Sequence, residues 1–147
     1  MAPLPNGRYI IRSVGARKFV GRSPREDYSL LPKRVILLPD GVQAPFFEFQ
    51  STDRGTKILA GGNSTAEIDR NLFAVLLPEP PAEDWKIQAI PQSGKNRYII
   101  TKSNGYEGWI VGDDSPEAQI AIRPLIIGPS EPPFYPPNEV WEIVPYN

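Results

Sequence analysis

The sequence contains no cysteine and no histidine. Without cysteine no disulfide can cross-link the fold, so its stability has to come from packing. Without histidine the chain has no Ser-His-Asp or Cys-His machinery, and it lacks the most common zinc ligand. Adjacent carboxylates occur only in turn-like contexts, where solvated side chains are expected: Glu26-Asp27, Glu83-Asp84 and Asp113-Asp114. We therefore expect a protein that is not an enzyme and that needs no metal or cofactor.

Strong net charge and long apolar runs are missing as well. The formal net charge is −1, which gives no electrostatic reason to expect nucleic acid or anionic lipid as a partner. No apolar stretch approaches the roughly 20 residues of a membrane span. Residues 1–6 lack the basic region and the apolar core of a signal peptide. The sequence thus predicts a cytoplasmic protein with no membrane or nucleic-acid partner.

Among the features that are present, the most informative is a repeated tetrapeptide. Arg8-Tyr9-Ile10-Ile11 returns as Arg97-Tyr98-Ile99-Ile100, and a short turn-like segment with a second apolar run follows each copy. In the second copy the turn contains Asn104-Gly105. Asn-Gly between apolar runs is typical of a type I′ hairpin turn, in which both central residues have positive φ. Each copy therefore predicts two strands joined by a short turn.

A third unit fits between these copies, because Thr56-Lys57-Ile58-Leu59-Ala60 is a short apolar strand that ends at Gly61-Gly62. Three further segments alternate aromatic, charged and apolar residues as half-buried strands do: Phe47-Glu48-Phe49, Trp85-Lys86-Ile87 and Trp141-Glu142-Ile143. Units of roughly 40 to 55 residues, each ending at such a strand, predict a pseudo-threefold all-β domain. We interpret residues 1–147 as one β-trefoil domain of twelve strands without disulfides, with units at about 7–50, 55–90 and 96–144.

The segment 21–32, between the second and third predicted strands, is longer than the corresponding segment of the third unit and has no regular apolar period. Loops of this length in a compact domain are usually functional or mobile. Pro24 and Pro32 restrict the conformation of this loop, which argues against simple mobility. Arg25 directly follows Pro24, which biases Ser23 toward extended backbone. An arginine held in extended form suits the specificity pocket of a trypsin-like protease, whose base carries a carboxylate. Such a loop loses little entropy on binding.

Two arginines compete for this role. If Arg22 occupied the specificity pocket, Pro24 would lie two residues beyond the scissile bond, where the inhibitor backbone normally donates a hydrogen bond that proline lacks. We therefore favour Arg25 as the primary specificity residue and keep Arg22 as the alternative. The predicted protease-binding residues are Arg25, Pro24, Glu26, Ser23, Arg22 and Asp27.

Over essentially its whole length the sequence resembles the fungal β-trefoil protease inhibitors of mushroom fruiting bodies, in particular the cospin-like serine protease inhibitors. The resemblance rests on the length, the lack of cysteine, the opening Gly7-Arg8-Tyr9-Ile10-Ile11-Arg12, the loop 21–32 and the end Val140-Trp141-Glu142-Ile143. It implies inhibition of trypsin through an arginine of the loop between strands two and three. We expect a monomer whose partner is a trypsin-like serine protease.

The resemblance also brings other loops into view. A family member with a lysine in the late loop inhibits trypsin from there, but residues 124–138 contain no lysine or arginine. The mycocypin relatives inhibit papain-like cysteine proteases through other loops, and some inhibit legumain through an asparagine after the fifth strand. Asn63 matches that position. Inhibition of a cysteine protease or of legumain through another loop is therefore an alternative function.

A sugar-binding role is the alternative from a different class. β-Trefoils often bind sugars, and four side chains suggest a shallow aromatic and amide pocket: Asn104, Tyr106, Trp109 and Asp113. The Gln-x-Trp signature of ricin-type lectins is missing from all three unit ends. Trp85 and Trp141 alternate with their neighbours like core residues. The sequence therefore favours a protease inhibitor over a lectin.

Overall fold

The structure is a computed structural model that describes residues 4–78, 81–113 and 115–146. Within these residues the chain forms twelve β-strands and two single-turn 3₁₀ helices, Pro91–Ser93 and Pro137–Glu139. The strands are β1 (Gly7–Ser13), β2 (Val20–Arg22), β3 (Lys33–Leu37), β4 (Phe47–Thr52), β5 (Gly55–Ala60), β6 (Asn63–Ile68), β7 (Asn71–Ala74), β8 (Lys86–Ala89), β9 (Arg97–Thr101), β10 (Glu107–Ile110), β11 (Ala121–Pro124) and β12 (Trp141–Pro145). No helix in these ranges is long and apolar enough to cross a membrane.

The strand pairings, all antiparallel, recur once for each group of four consecutive strands. The first strand of a group pairs with the fourth, as β1 does with β4 and β9 with β12. In the second group Thr56 of β5 exchanges two 2.8 Å backbone hydrogen bonds with Trp85, directly before β8. Between groups, β4 pairs with β5, β8 with β9 and β12 with β1. These six strands therefore form a closed ring, and hairpins β2–β3, β6–β7 and β10–β11 complete the groups.

The predicted strand at Thr56–Ala60 and the glycine turn that follows it are confirmed. Ala60 of β5 pairs with Asn63 of β6, so that Gly61 and Gly62 alone connect the two strands. Their φ angles are 59° and 84°, and the same sign at both positions is what a type I′ turn requires. Residues other than glycine rarely adopt such backbone angles. The sequence Gly61-Gly62 therefore sets the register of this hairpin.

The hairpin around Asn104 is confirmed, but the prediction of a type I′ turn there is wrong. Lys102 donates its backbone N–H to the carbonyl of Glu107 at 2.7 Å, which closes a longer loop, and only Gly105 has a positive φ, at 78°. The Oδ1 atom of Asn104 accepts the backbone N–H groups of Tyr106 and Glu107 at 2.8 and 3.3 Å. This side-chain cap of the backbone favours the longer turn.

Four aromatic side chains form the centre of the core. Phe47, Trp85 and Trp141 lie at equivalent places, at or directly before the start of the last strand of each group. Trp109 of β10 contacts all three rings, with centroid distances of 6.4 Å to Phe47, 5.5 Å to Trp85 and 6.1 Å to Trp141. All four side chains are fully buried. The alternation predicted for the unit ends is thus confirmed, and it directs the aromatic residues inward.

Replacing Trp109 with Ala should destabilise the protein strongly, because the cavity would remove one partner from each of three ring contacts. We expect the free energy of unfolding to fall by about 3–5 kcal/mol, as for other buried aromatic residues. Urea unfolding followed by far-ultraviolet circular dichroism measures this change. As a control, Tyr106→Ala removes a ring that is 75% exposed and should change stability by no more than about 0.5 kcal/mol. Equal effects of the two changes would contradict the central role of Trp109.

Candidate functional site

The β2–β3 loop (residues 23–32) faces the β10–β11 loop (residues 111–120) across a cleft. The prediction that the first loop is enlarged relative to its third-unit counterpart is wrong, since the two connections are equally long. Residues just before β11 bond to β3 instead of continuing the β10–β11 ladder. For example, Leu37 donates its N–H to the carbonyl of Ala118 at 2.8 Å. This pairing between groups brings the two loops together.

Arg22, the last residue of β2, ties the start of the loop to the body of the protein. Its Nε and Nη2 atoms each donate to one carboxylate oxygen of Glu26 at 2.7 Å, and Nη1 donates to the carbonyl of Ala60 at 3.2 Å. The Arg22 and Glu26 side chains are each only 20% exposed. Gly61 leaves the necessary space, because a Cβ there would lie 2.9 Å from Nη1. Glu26 is therefore a structural partner of Arg22, not the solvated turn carboxylate that was predicted.

Pro24 and Arg25 lie in a turn, so Arg25 does not have the extended backbone that was predicted for it. The hydroxyl of Ser23 accepts the backbone N–H of Arg25 at 3.2 Å, and the ion pair between Arg22 and Glu26 bridges the turn. Serine at the first position and proline at the second are typical of β-turns, since proline has the φ that the second position requires. The turn at Pro24 and Arg25 thus replaces the extended form in which Arg25 was predicted to be held.

Arg25 projects from this turn, and its side chain is 79% exposed. Its Nη2 atom pairs with Oε2 of Glu117 at 3.0 Å. Glu117 belongs to the β10–β11 loop and has a φ of 59°, a left-handed conformation that residues other than glycine adopt rarely. The pair therefore spans the cleft between the two loops. Because Arg25 is largely in water, this ion pair is weak and can be broken at little cost.

Lys33, the first residue of β3, supports the second half of the loop from below. Its ammonium group donates to the carboxylate of Asp27 at 2.8 Å, to the carbonyl of Asp27 at 3.2 Å and to the hydroxyl of Ser29 at 3.3 Å. Lys33 is only 5% exposed. Hydrogen bonds from Lys33 and Ser29 hold the pKa of Asp27 well below its usual range. Residues 27 and 29 are thus fixed by a single buried cation.

Three apolar side chains of the loop point into water. Tyr28 is fully exposed, and Leu30 and Leu31 are 60% and 66% exposed. The sequence analysis did not single out these residues, although three large apolar side chains within four loop positions are visible in the sequence. A cluster of exposed apolar side chains is a common mark of a protein–protein contact surface.

Two residues outside the loop that form ion pairs with it, Lys33 and Glu117, were not among the predicted site residues. A signal for Lys33 was available, because it alternates with Val35 and Leu37, which point into the core. A lysine in phase with buried residues has to find partners. No local signal marks Glu117, since its contact with Arg25 exists only once separate strand groups have folded together.

The other loops that the sequence analysis considered carry no arginine or lysine anchor. Asn63 is the first residue of β6, and its Nδ2 atom donates to the carbonyl of Gly61 at 3.3 Å. Directly after the segment 124–138, the buried Glu139 accepts the backbone N–H of Ile126 at 2.7 Å, and burial raises the pKa of Glu139. Among the described residues no group of three or more acidic side chains could hold a metal ion.

The sugar pocket considered as an alternative is not formed, because its main aromatic residue is unavailable. The side chain of Trp109 is fully buried among the core rings. Tyr106 is 75% exposed, and Asn104 uses its carbonyl oxygen to cap the backbone of its own turn. Asp114, the second residue of the Asp113-Asp114 pair, lies outside the described residues.

Comparison with known proteins identifies the family to which the chain belongs. Residues 1–145 match the model of the peptidase inhibitor I66 family. The chain belongs to this family of protease inhibitors, as the resemblance predicted.

Two relatives support this assignment over almost the full length. A serine protease inhibitor from Lentinula edodes is 42% identical over 144 residues, which cover 96% of this chain and 97% of that protein. The solved structure of a proteinase inhibitor from Coprinopsis cinerea superimposes with a TM-score of 0.88 at 30% identity, covering 98% of this chain and 100% of that one. Both relatives are inhibitors, which confirms the prediction that the protein is not an enzyme.

A more distant likeness concerns the fold alone. The ricin B-like lectin of Macrolepiota procera, solved in complex with lactose, superimposes with a TM-score of 0.72 at 16% identity. The alignment covers 99% of this chain and 100% of the lectin. At this identity the two proteins share an architecture, and the ligand of one says nothing about the other.

Replacing Lys33 with Met should release the carboxylate of Asp27. In the parent, Asp27 stays ionised in mildly acidic solution because its pKa in the folded protein is lowered. The stabilisation from the Lys33–Asp27 ion pair is therefore lost only as pH falls through that low value. In Lys33→Met we expect the pKa of Asp27 to rise toward its ordinary range, while the hydrogen bonds from Ser29 still hold it below that range. NMR of the aspartate carboxyl carbons measures both titrations. Lys95→Met, at an exposed lysine, is the control. If Asp27 titrates alike in all three proteins, Lys33 does not hold its carboxylate.

Proposed function

We propose that the chain inhibits trypsin-like serine proteases through the β2–β3 loop, with Arg25 as the primary specificity residue. The observation that carries this proposal is the contrast between the two arginines of the loop. Arg25 is 79% exposed on a turn, whereas Arg22 is 20% exposed and its guanidinium is bound on two sides. The serine class is supported by the name of the Lentinula edodes relative. The lack of any comparably presented lysine or arginine in residues 124–138 also supports the β2–β3 loop.

In the proposed complex, the guanidinium of Arg25 leaves Glu117 and enters the specificity pocket of the protease. The base of that pocket carries a carboxylate, so one ion pair is exchanged for another. Arg25 is therefore not left without a partner when it is buried, a situation that would be strongly unfavourable. Extension of the backbone at Arg25 requires release of its N–H from the hydroxyl of Ser23. That hydrogen bond is exposed, so water can replace it at little cost.

The residues on either side of Arg25 have different roles in this mechanism. Pro24 precedes the anchor and restricts the backbone. Glu26 and Asp27 follow it, and both are held from inside the protein, by Arg22 and Lys33 respectively. A loop that is already restrained at these points loses less conformational entropy when the protease binds. The ion pairs of Arg22 with Glu26 and of Lys33 with Asp27 thus supply the rigidity that disulfides provide in many small inhibitors.

We further propose that the fold is a β-trefoil and that the protein acts as a monomer in the cytoplasm. The threefold recurrence of every class of strand pairing supports the trefoil, as does the architecture shared with a ricin B-like lectin. A monomer that presents one loop predicts one inhibitor molecule per protease active site. The endpoint of an inhibition titration measures this ratio.

Titration of bovine trypsin tests the assignment of Arg25. The parent should inhibit, Arg25→Lys should retain most of the affinity, and Arg25→Ala should lose at least about 30-fold, as expected for a central interface arginine. Because Arg25 is exposed, Arg25→Ala should leave thermal stability unchanged. Arg22→Ala should lower the melting temperature and weaken inhibition less.

Two outcomes would contradict the proposal. If Arg25→Ala inhibits trypsin as well as the parent does, Arg25 is not the anchor. If the parent does not inhibit trypsin at all, the β2–β3 loop does not bind trypsin-like proteases, and papain and legumain are the next targets to test.

Replacing Glu117 with Gln should strengthen inhibition of trypsin by up to about fivefold, because Arg25 would no longer have to leave an ion pair worth at most about 1 kcal/mol. The inhibition constant measures this change, and the gain should disappear at high salt, which screens the exposed pair. Asp53→Asn removes the same charge at a different exposed position and should have no effect. Weaker inhibition by Glu117→Gln would show instead that Glu117 positions Arg25 for binding.

A further inference from the structure

Tyr28 is the most exposed large apolar side chain among the described residues. Other tyrosines range from buried, as Tyr9 and Tyr135 are at 4% and 7% exposed, to 75% exposed at Tyr106. A ring left wholly in water forgoes the favourable burial that large apolar side chains normally obtain. Nothing in the packing of the free protein explains a tyrosine at this position. Its ring is available in full to a partner.

The backbone on both sides of Tyr28 is held in place. On one side, the carbonyl and carboxylate of Asp27 accept hydrogen bonds from the ammonium of Lys33 at 3.2 and 2.8 Å. On the other side, the hydroxyl of Ser29 accepts from the same ammonium at 3.3 Å, and both the N–H and the hydroxyl of Ser29 donate to Asp27. Lys33 itself is buried beneath the loop. Tyr28 therefore lies between two residues that the buried ammonium of Lys33 holds in place.

This combination, a restrained backbone and a fully presented side chain, is what a protease-binding anchor requires. Tyr28 meets both conditions more fully than Arg25 does, because the guanidinium of Arg25 is paired with Glu117. The chemistry of the side chain defines the partner. A large aromatic ring fits the deep apolar slot of chymotrypsin-like specificity pockets and does not fit a pocket built around a carboxylate. The neighbouring Leu30 and Leu31 extend the apolar surface next to it.

We propose that Tyr28 is a second specificity residue of the same loop, which presents its ring to serine proteases with a deep apolar specificity pocket. This inference rests on the proposed function, because it assigns the β2–β3 loop to protease binding. Arg25 and Tyr28 are three positions apart, which limits the separation of their Cα atoms to roughly 10 Å. Two protease molecules cannot approach the loop at that distance. The loop therefore binds either class of protease, but only one molecule at a time.

Parallel titrations of bovine chymotrypsin and bovine trypsin test this proposal. The parent should inhibit both enzymes. Tyr28→Ala should weaken inhibition of chymotrypsin by at least about 30-fold, while inhibition of trypsin changes by less than about threefold, within the range of surface substitutions. Arg25→Ala should show the reverse pattern, and Tyr28→Phe should retain inhibition of chymotrypsin. Tyr106→Ala, at a ring that is 75% exposed elsewhere on the surface, is the control and should leave both titrations unchanged.

A competition experiment tests whether binding is mutually exclusive. Inhibitor that has first been saturated with trypsin should leave chymotrypsin fully active. Three results would overturn the proposal: no inhibition of chymotrypsin by the parent, equal inhibition by the parent and Tyr28→Ala, or equal weakening of both enzymes by Tyr28→Ala. The last result would make Tyr28 an accessory contact of the Arg25 site. Failure of trypsin inhibition alone would contradict the role of Arg25 while leaving the chymotrypsin titration to decide on Tyr28.

Discussion

The contact of Trp109 with three equivalent aromatic rings is the interaction on which the rest of the structure depends. Phe47, Trp85 and Trp141 come one from each group of four strands, and Trp109 touches all of them. A chain without cysteine has no disulfide cross-link between these groups, so they pack together by burying apolar surface. An aromatic side chain buries about 150–250 Å², and no group can complete this centre with its own ring. The cleft between the β2–β3 and β10–β11 loops exists because this core brings the first and third groups of strands together.

The same lack of cysteine determines how the β2–β3 loop is restrained. Exposed ion pairs contribute little, and a loop held only by such pairs would fluctuate. Arg22 and Lys33 avoid this weakness because they lie below the loop, 20% and 5% exposed, and each makes several hydrogen bonds at once. Shielding from water strengthens these bonds, and the guanidinium geometry of Arg22 fits the carboxylate of Glu26 with two parallel bonds. Two partly buried cations thus act where a small secreted inhibitor would use disulfides.

The sequence predicted the parts of the structure that depend on local pattern. Alternation placed Phe47, Trp85 and Trp141 inward, and the repeated tetrapeptide marked β1 and β9. The loop itself was located correctly, but its internal structure was predicted as extended and is a turn. The sequence could not show why, because the carbonyl that fixes Arg22 lies 38 positions away, at Ala60, and the carboxylate opposite Arg25 lies on another group of strands. Long-range contacts of this kind follow from the closure of the ring of strands and leave no mark in the neighbouring residues.

The loop separates the residues that support it from those that it presents. Glu26 and Asp27 turn their carboxylates toward Arg22 and Lys33, whereas Arg25 points its side chain outward. Substitution of an outward residue leaves the buried cations with their partners, so it avoids the large cost of an unpaired buried charge. Substitution of an inward residue removes a partner from a buried cation and so disturbs the loop as a whole. The exposed positions of this loop can therefore be substituted while its conformation, and the fold beneath it, stays the same.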